Sequence, residues 1–166
     1  EIYMGDWSSD VCSSDLAWSV AWADCEEIDS LNILGATHLA MRRALLGLPV
    51  APTRIRVDGD RAPHLARLGF TCSIQTVIGG DARVPAISAA SILAKTWRDA
   101  LMRRLDLCYP GFSLAEHKGY ATPEHLLALR LLPPSPIHRR SFAPVWRSGV
   151  RLSAFGIRPE EEEVEA

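Results

Sequence analysis

Two strand patterns enclosed by two long helical patterns constrain the fold of this chain more than any other feature. Residues 53–57 (TRIRV) alternate in polarity and residues 71–78 (TCSIQTVI) are rich in β-branched side chains; both run into glycine and aspartate, which is typical of strands that stop at a turn. Apolar residues recur at three- and four-residue steps over about 24–45, before the strands, and over 84–108, after them. Strands that alternate with helices predict an α/β fold.

Four further segments predict shorter elements. Residues 17–22 (AWSVAW) are a short apolar run that could end a strand, and residues 116–120 (EHKGY) predict a loop. Residues 122–131 begin with Thr-Pro-Glu, an N-cap, a first-turn proline and a first-turn acid, and therefore predict a helix. A short terminal helix is expected after residues 138–142 (HRRSF).

The two ends of the chain differ from the rest. Residues 1–16 (EIYMGDWSSDVCSSDL) have no amphipathic period, and residues 6–16 match the translation of a common sequencing adapter without a mismatch. We interpret 1–16 as a non-native segment and leave it out of the fold. The folded domain is expected over 17–150, and the glutamate-rich residues 151–166 are expected to be a disordered tail.

The overall charge of −2 hides an uneven distribution. The first sixteen residues carry four acidic side chains and no Lys or Arg, and the last seven residues carry five acidic side chains. The residues between them carry 11 acids against all 18 Lys and Arg, a net charge of +7. A basic body suits a polyanion such as nucleic acid, although charge alone favours the simpler interpretation of an ordinary solvated surface.

The composition argues against several classes of protein. No apolar run approaches the length of a membrane span, so no membrane association is expected. The four cysteines form no CxxC pair, so the sequence contains no zinc or redox motif of that kind. No secretory signal pattern is present, and we expect a cytoplasmic protein with free thiols.

Each of the two predicted strands is followed by an aspartate. Asp58 comes directly after the first strand, and Asp81 follows the second strand and two glycines. If the strands are parallel neighbours, both carboxylates lie at the same edge of the sheet, where open α/β sheets have their sites. Carboxylate oxygens are ligands that Mg²⁺ and Mn²⁺ prefer. The alternative is that Asp58 is a turn residue and Asp81 caps the next helix, which the two residues alone favour.

Two further segments could contact a nucleic acid. His117, Lys118 and Tyr120 share one short loop, in which the lysine could meet a phosphate and the tyrosine could stack on a sugar or base. Arg139 and Arg140 could also bind phosphate. The alternatives are a surface loop with a partly buried tyrosine and a solvated helix start.

Five blocks of the sequence, in their order and spacing, resemble the ribonuclease HII family. They are EIDSLNILGATHLAM (27–41), VDGD (57–60), GDARVPAISAASILAKTWRDALM (80–102), YPGFSLAEHKGYATPEHL (109–126) and SPIHRRSFAPV (135–145). The resemblance covers nearly all of residues 17–146, and several long blocks in order make it specific.

The resemblance implies a ribonuclease H-like fold and an endoribonuclease that hydrolyses the RNA strand of RNA–DNA duplexes, including embedded ribonucleotides, to give 5′-phosphomonoesters. The family uses four carboxylates with Mn²⁺ or Mg²⁺, and the third and fourth correspond to Asp58 and Asp81. The family tyrosine that contacts the sugar at the RNA–DNA junction corresponds to Tyr120. The expected partner is an RNA–DNA hybrid or a DNA duplex that contains ribonucleotides, bound by a monomer.

The chain also departs from the family. The DEAGRG motif, which supplies the first two carboxylates, is absent, so we expect a truncated fold that lacks the first two strands and a chain that is inactive as given. Three interpretations therefore remain: part of a hydrolase, a catalytically dead module that binds nucleic acid, or an α/β fragment without a stable function.

Overall fold

A computed structural model of the chain describes residues 16–65 and 69–147. The segment interpreted as adapter sequence, except Leu16, and the acidic tail lie outside the described residues. The elements, in chain order, are α1 (Cys25–Leu46), β1 (Arg54–Asp58), β2 (Ser73–Val77), a 3₁₀ turn (Gly80–Ala82), α2 (Pro85–Cys108), α3 (Leu114–His117), α4 (Pro123–Leu131) and α5 (Ala143–Arg147). The predicted α/β class is confirmed.

The chain divides into two compact units. The first comprises Glu1–Ala23 and Thr37–Ser91, of which the structure describes the residues given above, and the second comprises Asp24–Ala36 and Ile92–Ala166. The division falls within α1 and α2, so each unit takes part of both long helices.

The first unit contains the two strands. They pair in parallel, with Arg54 opposite Ser73 and Asp58 opposite Val77. Burial alternates along β1, where Ile55 and Val57 are buried and their neighbours are exposed. This period of two is what a strand with one covered face produces. The parallel pairing brings the carboxyl ends of both strands to one edge.

A groove of about 650 Å³ runs along β1 in the same unit. Its walls include Leu45 from α1, Ile55 and Val57 from β1 and Ile87 from α2, and it reaches Asp58. The first aspartate therefore stands at the end of a largely apolar groove.

The second unit has its own hydrophobic core. Phe112, Leu114, Leu129 and Val145 form a buried cluster, against which partly buried side chains from α2, α4 and the connecting loops pack. Thr122 caps α4 by accepting a hydrogen bond from the backbone N–H of His125 at 3.3 Å, as predicted for this helix start. Among the described residues, none of the helices combines the length and apolar character that crossing a bilayer requires.

Three local predictions differ from the structure. Residues 17–22 are not a strand, since the described sheet has only β1 and β2 and a strand needs a partner for its backbone hydrogen bonds. The predicted loop at 116–120 begins as the short helix α3. Helix α1 is interrupted at Asn32 (φ 59°, ψ 171°), whose Oδ1 accepts hydrogen bonds from the backbone N–H groups of Leu34 and Gly35 at 3.0 and 3.2 Å. Asn32 therefore acts as an N-cap inside the helical pattern.

Candidate metal-binding edge and nucleic-acid contacts

Asp58 is the last residue of β1 and is tied to the turn that follows β2. Its Oδ1 accepts a hydrogen bond from the backbone N–H of Gly80 at 2.8 Å. The next residue, Gly59, continues the ladder by donating its N–H to the carbonyl of Val77 at 3.0 Å. The carboxylate of Asp58 is thereby held against the backbone that immediately precedes Asp81.

Gly80 makes this close approach possible because it has no side chain. A Cβ at position 80 would lie 2.6 Å from Cδ1 of Ile87 and 3.3 Å from Oδ1 of Asp58. Gly79 reverses the chain just before it in a left-handed conformation (φ 63°, ψ 38°) that glycine adopts without strain. From the sequence, Gly79 and Gly80 were expected only to end a strand. Their position directly before Asp81 was the one sequence feature that could have indicated a close backbone approach at this edge.

Asp81 lies in the 3₁₀ turn, and its Oδ1 accepts the backbone N–H of Ala82 at 2.9 Å. That contact is not a helix cap, because a capping side chain accepts from the backbone N–H two or three residues further on and α2 begins at Pro85. Both aspartates are exposed. In the described part of the chain each uses Oδ1 for a backbone N–H, which leaves Oδ2 of each carboxylate available to a cation.

The donor set fits a hard divalent cation only in part. Two aspartates at one sheet edge offer the oxygen ligands that Mg²⁺ and Mn²⁺ prefer. Within residues 16–65 and 69–147, however, no group of three or more His, Cys, Asp or Glu side chains could hold a metal ion. Asp58 and Asp81 can therefore contribute two ligands to a coordination sphere, and water or other ligands would have to fill its remaining positions.

In the second unit, the loop after α3 presents Tyr120 to solvent. Tyr120 is 62% exposed, so it lies at the surface of the second unit and not in its core. Lys118 adopts a left-handed conformation (φ 52°), and its ammonium group donates a hydrogen bond to the carbonyl of Ala115. Its own carbonyl accepts a hydrogen bond from Nη2 of Arg98 at 3.2 Å. The backbone of the loop is therefore fixed while the Tyr120 ring remains accessible.

His117 lies inside this loop, with only 7% of its surface exposed. Its Nε2 is 2.6 Å from the carbonyl of Phe112, and its Nδ1 accepts the backbone N–H of Gly119 at 3.1 Å. Both ring nitrogens are engaged within the protein. In this arrangement the histidine supports the loop from beneath.

Arg139 and Arg140 precede α5 in the same unit. The guanidinium carbon of Arg139 lies 5.2 Å from the ring centroid of Phe142, a cation–π contact, and Arg140 is exposed. Asp29 of α1 accepts the backbone N–H groups of Arg140 and Ser141 at 2.7 and 3.2 Å, as well as the Ser141 hydroxyl.

Asp29 was not singled out from the sequence, because its partners are 111 and 112 residues away. Burial raises the pKa of the Asp29 carboxyl, but hydrogen bonds from the Ser141 side chain and the two backbone N–H groups outweigh it and lower the pKa below its ordinary value. The carboxylate fixes the backbone that carries the two arginines.

Comparison with known proteins identifies the family to which the chain is similar. The family model described as Ribonuclease HII matches residues 12–145. Its first residues, 12–16, belong to the segment interpreted as adapter sequence, so the domain boundary at residue 17 stays a prediction.

Relatives named Ribonuclease HII occur in several Bordetella species. The one from Bordetella pertussis (strain Tohama I) is 60% identical over 130 residues, which cover 78% of this chain and 62% of the relative. The one from Bordetella avium (strain 197N) is 54% identical over 142 residues, which cover 86% of this chain and 64% of the relative. The chain thus spans about three fifths of the length of these relatives.

A solved structure supports the fold. The crystal structure of the ribonuclease H2 from Pyrococcus horikoshii OT3 matches with a TM-score of 0.63 at 24% sequence identity, covering 75% of this chain and 64% of that chain. At this identity the match bears on the fold alone, and it confirms the predicted ribonuclease H-like architecture.

Proposed function

Because the chain belongs to the ribonuclease HII family, we propose that it is part of an endoribonuclease that hydrolyses the RNA strand of RNA–DNA duplexes. Duplexes with embedded ribonucleotides are included, and the products carry 5′-phosphates. The hydrogen bond from Gly80 N–H to Asp58, which joins the ends of two parallel strands, is the observation that carries the proposal. It supports a shared role for the two aspartates at one sheet edge.

We propose Asp58 and Asp81 as the metal-binding and catalytic carboxylates in this chain. A bound Mn²⁺ or Mg²⁺ would supply the positive charge that activates water and stabilises the phosphodiester during cleavage. The two side chains contribute in different ways: Asp58 is held by Gly80 across the sheet edge, whereas Asp81 is held within its own turn. Both are exposed, so a nucleic acid can reach them.

We propose that the second unit supplies contacts to the duplex. The exposed ring of Tyr120 suits stacking on a sugar at the RNA–DNA junction, where the 2′-hydroxyl distinguishes RNA from DNA. Arg139, Arg140 and Lys118 are the proposed phosphate contacts, which fix the position of the duplex without reading its sequence. His117 takes part by supporting the loop that carries Tyr120.

For the 166-residue chain by itself, binding without cleavage is the second candidate function. The observation that favours it is the pair of carboxylates, which among the described residues has no third metal-binding partner. We propose that this chain alone binds duplexes but has little or no nuclease activity. The three described cysteines, Cys25, Cys72 and Cys108, are free thiols, which suits the proposed cytoplasmic location.

A chimera tests the proposed function. The 130 residues of Bordetella pertussis Ribonuclease HII that match this chain are replaced by the corresponding residues of this chain. We expect the chimera to cleave a duplex with one embedded ribonucleotide when Mn²⁺ or Mg²⁺ is present, and the 166-residue chain to show little or no cleavage. Asp58→Asn or Asp81→Asn in the chimera should lower the cleavage rate by roughly 100-fold or more, because each removes a charged metal ligand.

Asp60→Asn is the matched control, since Asp60 is an exposed aspartate two residues beyond Asp58. Duplex binding, measured separately, should survive all three substitutions because phosphate contacts dominate it. A chimera whose Asp58→Asn variant cleaves at nearly the parental rate would refute the assignment of Asp58.

A further inference from the structure

Three of the five histidines of the chain form a cluster in the second unit. His117 and His125 are buried, and their rings stack with centroids 4.2 Å apart and planes 14° apart. The ring of His138, which is partly buried, lies 5.5 Å from that of His125 at a tilt of 46°. Neither His125 nor His138 was singled out from the sequence.

The hydrogen bonds of His138 and His125 have a single consistent direction. Nδ1 of His138 accepts the backbone N–H of Ser135 at 3.2 Å and lies 2.8 Å from the Ser135 hydroxyl, which can also donate to it, so His138 carries its proton on Nε2. That Nε2 lies 3.3 Å from Nε2 of His125, which must therefore be the acceptor. Nδ1 of His125 then carries a proton and donates it to the carbonyl of Tyr120 at 2.9 Å. The chain of bonds leads from the loop at Ser135 to the backbone of Tyr120.

His117, whose ring stacks on that of His125, also holds the loop that carries Tyr120. Because Gly119 N–H donates to its Nδ1, His117 donates from Nε2 to the carbonyl of Phe112. In addition, the carbonyl of His117 accepts the backbone N–H of Tyr120 at 2.9 Å. The backbone N–H of Tyr120 is thus held by His117, and its carbonyl accepts hydrogen bonds from Nδ1 of His125 and from the backbone N–H of Thr122 at 2.8 Å.

From this geometry we infer that His125 and His138 are positioning residues, which fix the carbonyl of Tyr120 and thereby the direction of its exposed ring. This inference rests on the proposed function, in which Tyr120 contacts the RNA–DNA junction. The relay works only while the rings of His125 and His138 are neutral. A proton added to Nε2 of His125 would set one N–H against the N–H of His138, and the bond between the two rings would be lost.

The surroundings favour neutral rings at neutral pH. Burial lowers the pKa of His125, the Tyr120 carbonyl opposes this by accepting its proton, and the nearby His117 lowers the pKa further. Burial also lowers the pKa of His138, with a further contribution from His125. The exposed carboxylate of Glu124, at the first turn of α4, has a lowered pKa because it accepts its own backbone N–H and the Thr122 hydroxyl, with a smaller contribution from His117.

The pH at which the relay fails follows from the sign of these shifts. A histidine whose pKa is lowered by folding favours the folded state above its ordinary pKa of 6.5, and this contribution is lost as pH falls through the folded pKa. The relay should therefore be intact at pH 7.5 and weaken only as pH falls below 6.5, through the lowered pKa values of the two rings. Any preference for ribonucleotides that depends on Tyr120 should weaken over the same range.

The first measurement uses the 166-residue chain without nucleic acid. Long-range ¹H–¹⁵N NMR of the histidine rings reports which nitrogen carries the proton. At pH 7.5 we expect the Nδ1–H form for His125 and the Nε2–H form for His117 and His138. An Nε2–H form of His125 would overturn the relay, whether or not the chain binds a duplex.

The second measurement compares binding to a duplex with one ribonucleotide and to the all-DNA duplex of the same sequence. His125→Leu should reduce the preference for the ribonucleotide at pH 7.5 by about fivefold or more, the lower limit for a lost stacking contact. His125→Asn should retain most of it, because the side-chain amide can donate to Tyr120 as Nδ1–H does. It should also lose less preference than the parent chain when the pH is lowered from 7.5 to 5.5.

His64→Asn, in the first unit, is the control and should change neither the preference nor its pH dependence. Equal preference in the parent chain and in a folded His125→Leu variant would overturn the positioning role. If His125→Leu does not fold, the positioning role is tested by comparing how the ribonucleotide preference of His125→Asn and of the parent chain changes between pH 7.5 and 5.5. A parent chain that binds both duplexes equally, with the Nδ1–H form of His125 present, would instead contradict the proposed role of Tyr120.

Discussion

Tyr120 combines an exposed ring with a fixed backbone. Its side chain is 62% exposed, while its N–H and carbonyl are bound to His117 and His125. An aromatic ring on a fixed backbone loses little conformational entropy when a base or sugar stacks on it. An exposed ring on a fixed backbone is what the proposed contact role of Tyr120 requires.

Replacing Tyr120 by alanine tests this role. We expect Tyr120→Ala to reduce the preference for a ribonucleotide-containing duplex by about 5- to 150-fold, the cost of one lost stacking contact. The melting temperature should hardly change, because exposed substitutions are usually within about 0.5 kcal/mol of neutral. Tyr109→Ala is the control, since Tyr109 packs against the core and its loss should lower the melting temperature. A large fall in the melting temperature of Tyr120→Ala with unchanged preference would show that Tyr120 is structural.

At the residue scale, the sequence predicted those features that depend on neighbours along the chain. Asp58 and Asp81 were expected at one edge because each follows a strand, and the parallel pairing confirms that the two strand ends share an edge. The need for glycine at position 80 could not be predicted, because it depends on where the side chain of Ile87 lies. Tyr120 was found through its motif, whereas the bonds that hold it come from residues whose spacing has no pattern.

At the scale of elements, Asp29 connects α1 with the segment before α5. Its carboxylate accepts the N–H groups of Arg140 and Ser141 and the Ser141 hydroxyl. Although burial opposes it, this set of hydrogen bonds keeps the Asp29 pKa below its ordinary value of 3.8. A carboxylate with a lowered pKa stabilises the folded state above its ordinary pKa and loses that effect as pH falls through the folded value.

We therefore expect Asp29→Asn to lower the free energy of unfolding at pH 7 by roughly 1–2 kcal/mol. The difference from the parent chain should be constant above about pH 5 and shrink as pH falls below 3.8 towards the lowered folded pKa of Asp29. Denaturant unfolding at several pH values measures it. Asp99→Asn is the control, because the exposed pair of Asp99 with Lys95 is worth little. A difference that persists unchanged at pH 2.5 would contradict the role of the Asp29 charge.

Most elements were predictable because their signals are local. The Thr-Pro-Glu start of α4, the alternation along β1 and the three- and four-residue spacing of α2 are confirmed. The interruption of α1 at Asn32 was missed because the helical spacing continues on both sides of it. The strand expected at residues 17–22 was also wrong, because a strand needs a neighbouring strand to pair with and the local sequence does not specify one.

At the scale of the whole molecule, ordered sequence blocks identify the family more firmly than the pattern of elements does. The pattern predicts only an α/β domain, whereas the blocks agree with the family match over residues 12–145. The chain spans about three fifths of the length of its Bordetella relatives, and the described part contains two of the four carboxylates that the resemblance implies. The proposed function depends on Asp58 and Asp81 binding one divalent cation together.

Paramagnetic broadening by Mn²⁺ tests this claim most directly, because Mn²⁺ broadens the NMR signals of nuclei near its binding site. In the 166-residue chain, substoichiometric Mn²⁺ should broaden the backbone amide signals of Gly59, Gly80 and Ala82 before those of any other described residue. Mg²⁺ in excess should reverse the effect, and Asp58→Asn and Asp81→Asn should each weaken it, whereas Asp60→Asn should not. Broadening that is spread evenly over the acidic side chains, or that persists unchanged in both variants, would contradict the account.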